Sequence, residues 1–335
     1  MPEIVQWNEI KQQYHQGSLL LGNGSSIAVN QCFNYSSLYE KAAELGYLSE
    51  NVQAVFDKFD VNDFELVLRR LWQAKLVNEA LELPRGEVEE AYEEVRNALI
   101  ATVRATHVSY DDTREHLEPI YKFMKKFDFV ISLNYDLIVY WAAQYGNRLM
   151  DCRWFKDCFN GDIFNDNWQM YREPFRAAKG ATVYFYPHGN LVLRRHGFSS
   201  ERKIQTGDAY NLLEAILEKW EFDNLAPAFI CEGLEENKRE AISSCNYFEQ
   251  VFYEVLPSLE RSLVIYGWGF GDQDDHILKQ IKKSNVRRVA VSIYGEDQVL
   301  IGNIERKLNG IGITECQFFD SSSPGCWNNP IEETD

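Results

Sequence analysis

Four short runs in this chain carry side chains able to do chemistry, three of them together with glycine, and each follows an apolar, β-rich stretch. They are Gly22-Asn23-Gly24-Ser25-Ser26, Asn134-Tyr135-Asp136, His188-Gly189 and Gly267-Trp268-Gly269-Phe270-Gly271-Asp272. Gly22 to Ser26 suits a pyrophosphate, because glycines admit close backbone approach and a following helix aims its N-terminus at the anion. The same residues also read as a tight turn with serine as helix N-cap. The dinucleotide fingerprint G-x-G-x-x-G is incomplete, since Ile27 stands where the third glycine belongs, and no Gly-Lys-Ser/Thr is present. Asn134 can orient a water and Asp136 can hold a ribose hydroxyl, although both residue types also favour Asx turns. His188 is an imidazole at a strand end, a general base at neutral pH. Gly267 and Gly269 read as a second glycine loop over an adenosine ribose, with Asp272 accepting a hydroxyl, or else as a turn and an acidic helix start.

The remaining candidates have weaker contexts. His15, His107, His116 and His276 sit in helical or polar surroundings and read as solvated or as simple caps, and His196 reads as a loop residue near an anion. Asp272, Asp274 and Asp275 have no partner cluster of metal-ligand spacing, so they read as a solvated helix start. Asp57 to Glu65 lacks the glycine and ligand rhythm of a calcium loop. No metal is expected.

The elements that must hold these residues alternate. Ser18–Leu21, Phe127–Leu133, Ala181–Tyr186, Ser262–Tyr266 and Val286–Tyr294 read as strands, the last being the final clear one. Helical spacing runs from Ile27 to Gly46, in two sets between about 50 and 125, from Leu137 to Tyr145, over 209–220 and 235–260, and from Asp274 to Ile281. Residues 150–180 read as loops, and the tail from Ser321 as polar and loose. Near-continuous apolar strands alternating with helices predict an α/β fold: a Rossmann-like parallel sheet with helices on both faces plus a helical insertion. One domain over 1–320 is expected, with the insertion at about 50–125 and a polar tail at 321–335. Ligands of such sheets bind at the carboxyl ends of the strands, and the four chemical runs all fall there.

Composition narrows the partners. The chain has 335 residues, 45% hydrophobic and 25% charged, which is ordinary globular usage. Its 34 basic and 51 acidic residues give a net charge of −17. That charge repels nucleic-acid backbones and anionic membranes, and basic clusters such as Arg194–Arg195 and Lys282–Arg287 are short. The N-terminal sequence is not a signal peptide, and no apolar run approaches the ~18 residues of a membrane span. Seven cysteines at irregular spacing, with no Cys-x-x-Cys, predict reduced thiols in a cytoplasmic protein.

Taken in order, the four strand ends resemble the sirtuin-like NAD-binding family. Its Gly-x-Gly-x-Ser loop, Thr/Ser-x-Asn-x-Asp strand end, His-Gly pair and late glycine-rich strand end are similar to Gly22–Ser26, Ser132–Asp136, His188-Gly189 and Tyr266–Gly269. The two Cys-x-x-Cys pairs of the family's protein deacylases are absent, so the chain looks more like the bacterial sirtuin-like branch, whose members often cleave NAD and serve in antiphage defence. The resemblance implies hydrolysis of the nicotinamide–ribose bond of NAD, which is substrate here, with Asn134 and His188 catalytic. It implies that Gly22, Asn23, Gly24, Ser25, Ser26, Asp136, Gly267 and Gly269 hold the dinucleotide, with Asp272 beside them. The transition state would be oxocarbenium-like. The alternative is a sensor that binds NAD or ADP-ribose without hydrolysis. Toxicity of a constantly active enzyme leads to an expectation of regulation by a homo-oligomer or a partner protein.

Overall fold

The computed structural model describes residues 2–151, 153–174, 178–195, 201–205, 211–222, 226–229, 238–239, 242–243 and 245–331. Its thirteen described strands are β1 (Ile4–Val5), β2 (Ser18–Leu21), β3 (Phe129–Ser132), β4 (Arg153–Lys156), β5 (Phe159–Asn160), β6 (Ile163–Phe164), β7 (Gly180–Phe185), β8 (Gly189–Arg195), β9 (Arg202–Lys203), β10 (Ala226–Phe229), β11 (Glu260–Tyr266), β12 (Asn285–Ile293) and β13 (Glu315–Asp320). Eight of them form one sheet in the order β1-β13-β12-β11-β2-β3-β7-β4, with every neighbouring pair parallel. This is the α/β, Rossmann-like architecture expected. The strands β2, β3 and β7 are apolar because helices cover both faces of the sheet, and Leu19–Leu21, Val130, Ile131, Val183 and Phe185 are all fully buried.

The chain order places a switch point in this sheet. From β2 the next strands, β3 and β7, build to one side, whereas β11, β12 and β13 build to the other. The crevice beyond the carboxyl ends of β2 and β11 is therefore where a ligand fits.

Several strands and a helix depart from the sequence reading. Residues 150–180, expected as loops, contain the edge strand β4 and the short strands β5 and β6. β8 and β10 belong to a second, five-stranded sheet, β10-β8-β9-β6-β5. Beyond β12, which was read as the last strand, come the Gln298–Gly310 helix and β13. The helical spacing from Ile27 to Gly46 resolves into separate helices at Gly24–Val29 and Leu38–Glu44, divided by a 3-10 turn.

The tail is not loose as far as Ile331. Cys326 and Trp327 are fully buried, and Trp327 Nε1 donates to the Ser25 carbonyl at 2.8 Å. Cys32, Cys158, Cys245, Cys316 and Cys326 are free thiols, while Cys152, Cys231 and His196 lie outside the described residues. Among the described residues no helix is long and apolar enough to cross a membrane.

The block at 50–125 is helical throughout its main elements: Glu50–Phe59, Phe64–Ala80, Gly86–Thr106 and Tyr110–Met124. Ser49, Asp63 and Ser109 cap three of these helices by accepting from Val52, Leu66 and Asp112 backbone N–H groups. Arg195 of β8 ties the block to the second sheet through Glu65 at 3.5 Å and Glu201 at 3.2 Å. Burial and the neighbouring Glu65 push the Asp63 carboxyl up to about 7 from 3.8. Its folded form therefore keeps a proton that the unfolded chain releases, so stability falls as pH rises from about 4 to about 7. Asp63→Asn retains the cap without the ionisation. Thermal melts should show it a few degrees more stable than wild type at pH 8, with the difference closing near pH 4.

Candidate active site

Register brings the strand-end runs side by side. Leu21 pairs with Ser132 and with Tyr266, so the loops after β2, β3 and β11 leave the sheet at one level. The first and last of these loops interlock. A Cβ on Gly24 would lie 2.8 Å from the Gly267 Cα, and one on Gly267, whose φ is +69°, would lie 2.3 Å from the Ser25 nitrogen. Glycine is required at both positions by backbone contact.

That contact consumes donors. Gly22 N–H donates to Tyr266 O, Gly24 to Gly267 O, Ser25 to Gly22 O and Ser26 to Asn23 O, at 2.7–3.0 Å. These four N–H groups are spent inside the protein and are not free for a pyrophosphate. Gly22, Asn23 and Gly24 still line the crevice, but Ser25 and Ser26 are buried behind it.

The two serines instead hold the polar side chains of the β3 loop. Asn134 Nδ2 donates to Gly22 O at 3.1 Å, Ser25 Oγ at 3.0 Å and Ser26 Oγ at 2.7 Å. The Gly22 carbonyl can only accept, which fixes the amide nitrogen toward the loop and turns Oδ1 to the crevice. Ser26 Oγ in turn donates to Asp136 Oδ2, while Ile138 N–H donates to Oδ1 at 2.8 Å. Burial pushes the Asp136 carboxyl above its ordinary range, with His107 acting against the shift. His107, read as solvated or a simple cap, is buried and structural. Its Nε2 accepts from Leu137 N–H at 3.0 Å and its Nδ1 lies 2.8 Å from Val108 O, so Nδ1 carries the proton of a neutral ring.

His188 follows β7 into the same crevice. Burial, aided by the Lys238 ammonium, holds it well below its ordinary pKa, so the ring is neutral. Its Nε2 lies 2.8 Å from His276 Nε2. His276, also read as solvated or a cap, is 1% exposed and stacks on Phe252 at 5.7 Å. Asp274 accepts from Lys238 Nζ at 2.7 Å and from Trp268 Nε1 at 3.4 Å. Asp272, the acid expected beside the nucleotide, instead points outward to Lys307 at 2.6 Å. Two residues apart on a helical turn, the carboxyls of Asp272 and Asp274 face different ways.

Together these loops line a cavity of about 990 Å³, at the upper end of the ~300–1,000 Å³ typical of small-molecule sites. Asn134, Asp136, His188, Gly267 and Gly269 are on its surface. Aromatic walls come from Phe33, Tyr35, Tyr135 and Trp268, and Tyr35 and Tyr135 share a hydroxyl–hydroxyl hydrogen bond. The helical block contributes Phe56, Asp57, Asp60 and Asn62. Sequence spacing missed Lys238, Asp274 and His276, which converge only through tertiary packing.

No curated protein matches the chain. A family model described as a domain of unknown function, DUF4917, matches residues 19–327, a span that runs from β2 through every strand-end loop to the docked Trp327. The chain therefore belongs to the DUF4917 family.

Proposed function

We propose that this protein hydrolyses the nicotinamide–ribose bond of NAD. The observation that carries the reading is the meeting of Asn134, Asp136 and His188 with both glycine loops on one large cavity at the switch point of a parallel sheet. The ordered resemblance of these loops to sirtuin-like NAD sites supplies the substrate. In the reaction the ribose C1′–nitrogen bond breaks and its electron pair leaves with nicotinamide, whose ring loses its positive charge. The oxygen of a water bonds to C1′, and the water's proton passes to a base. Nicotinamide is a good leaving group and needs no acid; the demands are orientation, a base and stabilisation of an oxocarbenium-like cation.

Each demand has a group beside the cavity. Asn134 Oδ1 is available to accept from the water or from a ribose hydroxyl. His188 is neutral, and the Nε2 that now meets His276 is the position a reacting hydroxyl would take over. Carboxyl groups of Glu40, Asp57, Asp60 and Asp136 surround the cavity, and Lys238 is its cation among the described residues. Such a surface favours a positively charged ring.

One feature favours a second reading, a sensor that binds NAD or ADP-ribose and cleaves nothing: the His188 Nε2 is already engaged by His276 within the protein. The deciding experiment is nicotinamide release from NAD by the purified protein, beside calorimetry with NAD and ADP-ribose. Release is the expected result. Binding without release would favour the sensor, and neither release nor binding would overturn both readings.

A further inference from the structure

Three side chains from separate positions in the sequence converge at one end of the cavity: His188 from the turn after β7, Asp274 from the turn after β11, and His276 from the Asp275–Ile281 helix. A ligand atom from each lies within 4.8 Å of the other two. His188 and His276 are 4% and 1% exposed, and their Nε2 atoms face each other at 2.8 Å. Two nitrogens and a carboxylate oxygen are the donor set of a divalent transition metal such as zinc.

The surroundings fit that use. Phe252 stacks on the His276 ring at 30° and fixes its plane. Trp268 Nε1 and Lys238 Nζ bond the two oxygens of Asp274 and hold the carboxylate in place. Zinc–nitrogen bonds of ~2.0–2.1 Å place two tetrahedral ligand nitrogens about 3.3–3.4 Å apart, so the rings need to separate by only about half an ångström. His188 and Asp274 line the cavity, leaving the open side of the site toward whatever occupies it.

We propose that His188, His276 and Asp274 bind one divalent transition-metal ion of the zinc type, and that occupancy silences His188 as a proton acceptor. The binding site stands on geometry alone; the silencing rests on the NAD-cleaving reading. A ring nitrogen coordinated to a cation has no lone pair for a proton, so metal binding and base action at His188 exclude each other. The ion would hold the enzyme inactive until it is withdrawn.

The test uses the full chain, freed of metal with a chelator, and titrated with Zn²⁺ by calorimetry and with Co²⁺ by visible absorption. The expected result is one ion per chain with the d–d bands of a low-coordinate cobalt site. His276→Phe, which keeps a ring against Phe252, and the near-isosteric Asp274→Asn should each weaken binding at least ~100-fold, with thermal melts establishing that each is folded. Nicotinamide release should fall as Zn²⁺ is added and return with chelator. No stoichiometric binding, or wild-type affinity in both folded variants, overturns the site. Full release from the saturated protein overturns the switch. Binding that both variants lose, in a protein that never releases nicotinamide, upholds the site and overturns the NAD reading together with the switch.

Discussion

His188→Gln and His188→Ala should each lower nicotinamide release by about 10²–10⁴-fold, the usual contribution of a general base. Glutamine keeps hydrogen-bonding capacity toward His276 but cannot take up a proton at neutral pH, so it separates base action from simple packing. Activity near wild type in the glutamine variant would remove His188 from the chemistry. The pH profile makes a second check on the same residue. Burial lowers His188 well below 6.5, so it stays neutral across the neutral range, and release should decline only as pH falls through that depressed value. Stability carries the same sign: below pH 6.5 the unfolded chain takes up a proton that the folded chain refuses. Wild type should therefore lose stability on acidification more steeply than His188→Gln, by ~1.4 kcal/mol per pH unit over that window. Denaturant melts at several pH values measure the difference.

What the sequence discloses of this fold follows from where water is excluded. The strands β2, β3, β7, β11 and β12 lie inside the parallel sheet, so each is an apolar run that stops at a polar or glycine-rich turn, and the stops carry the site. Asn134, Asp136 and His188 are legible for that reason. The strand β4 lies at the sheet edge and reads Arg-Trp-Phe-Lys, and β13 reads Glu-Cys-Gln-Phe-Phe-Asp. Neither has a continuous apolar signal. The strand β8 begins at Gly189, directly after the turn that contains His188, and ends in the basic pair Arg194–Arg195, whose charges mask the strand although Glu65 and Glu201 pair with Arg195 inside the protein. The His188–His276 contact joins residues 88 positions apart, and no local spacing announces it. Asp272 and Asp274 stand in the same acidic run, and only the direction of a single helical turn decides that one meets Lys307 at the surface and the other Lys238 beside the cavity.

Trp327→Ala should destabilise the protein by about 3–5 kcal/mol, the range for removing a large buried aromatic. The indole is 1% exposed. It packs against Tyr266 at 5.7 Å and Phe123 at 6.4 Å between ring centres, and its N–H reaches the Ser25 carbonyl. Its backbone sits at φ +49°, a conformation unusual for a bulky residue and held there by the surrounding packing. Tyr266 is the last residue of β11 and Ser25 belongs to the first glycine loop, so the indole braces both halves of the interlocked pair from behind. Its loss should therefore reach the cavity as well as the melting curve: a chain cut before Ser321 or carrying Trp327→Ala should bind ADP-ribose more weakly even where it remains folded. Trp327→Phe separates the two contributions, since it refills much of the space but leaves the Ser25 carbonyl without its donor. Calorimetry and thermal melts on the three variants measure this, and a tail deletion that melts and binds like the full chain would show that the glycine loops hold each other without support.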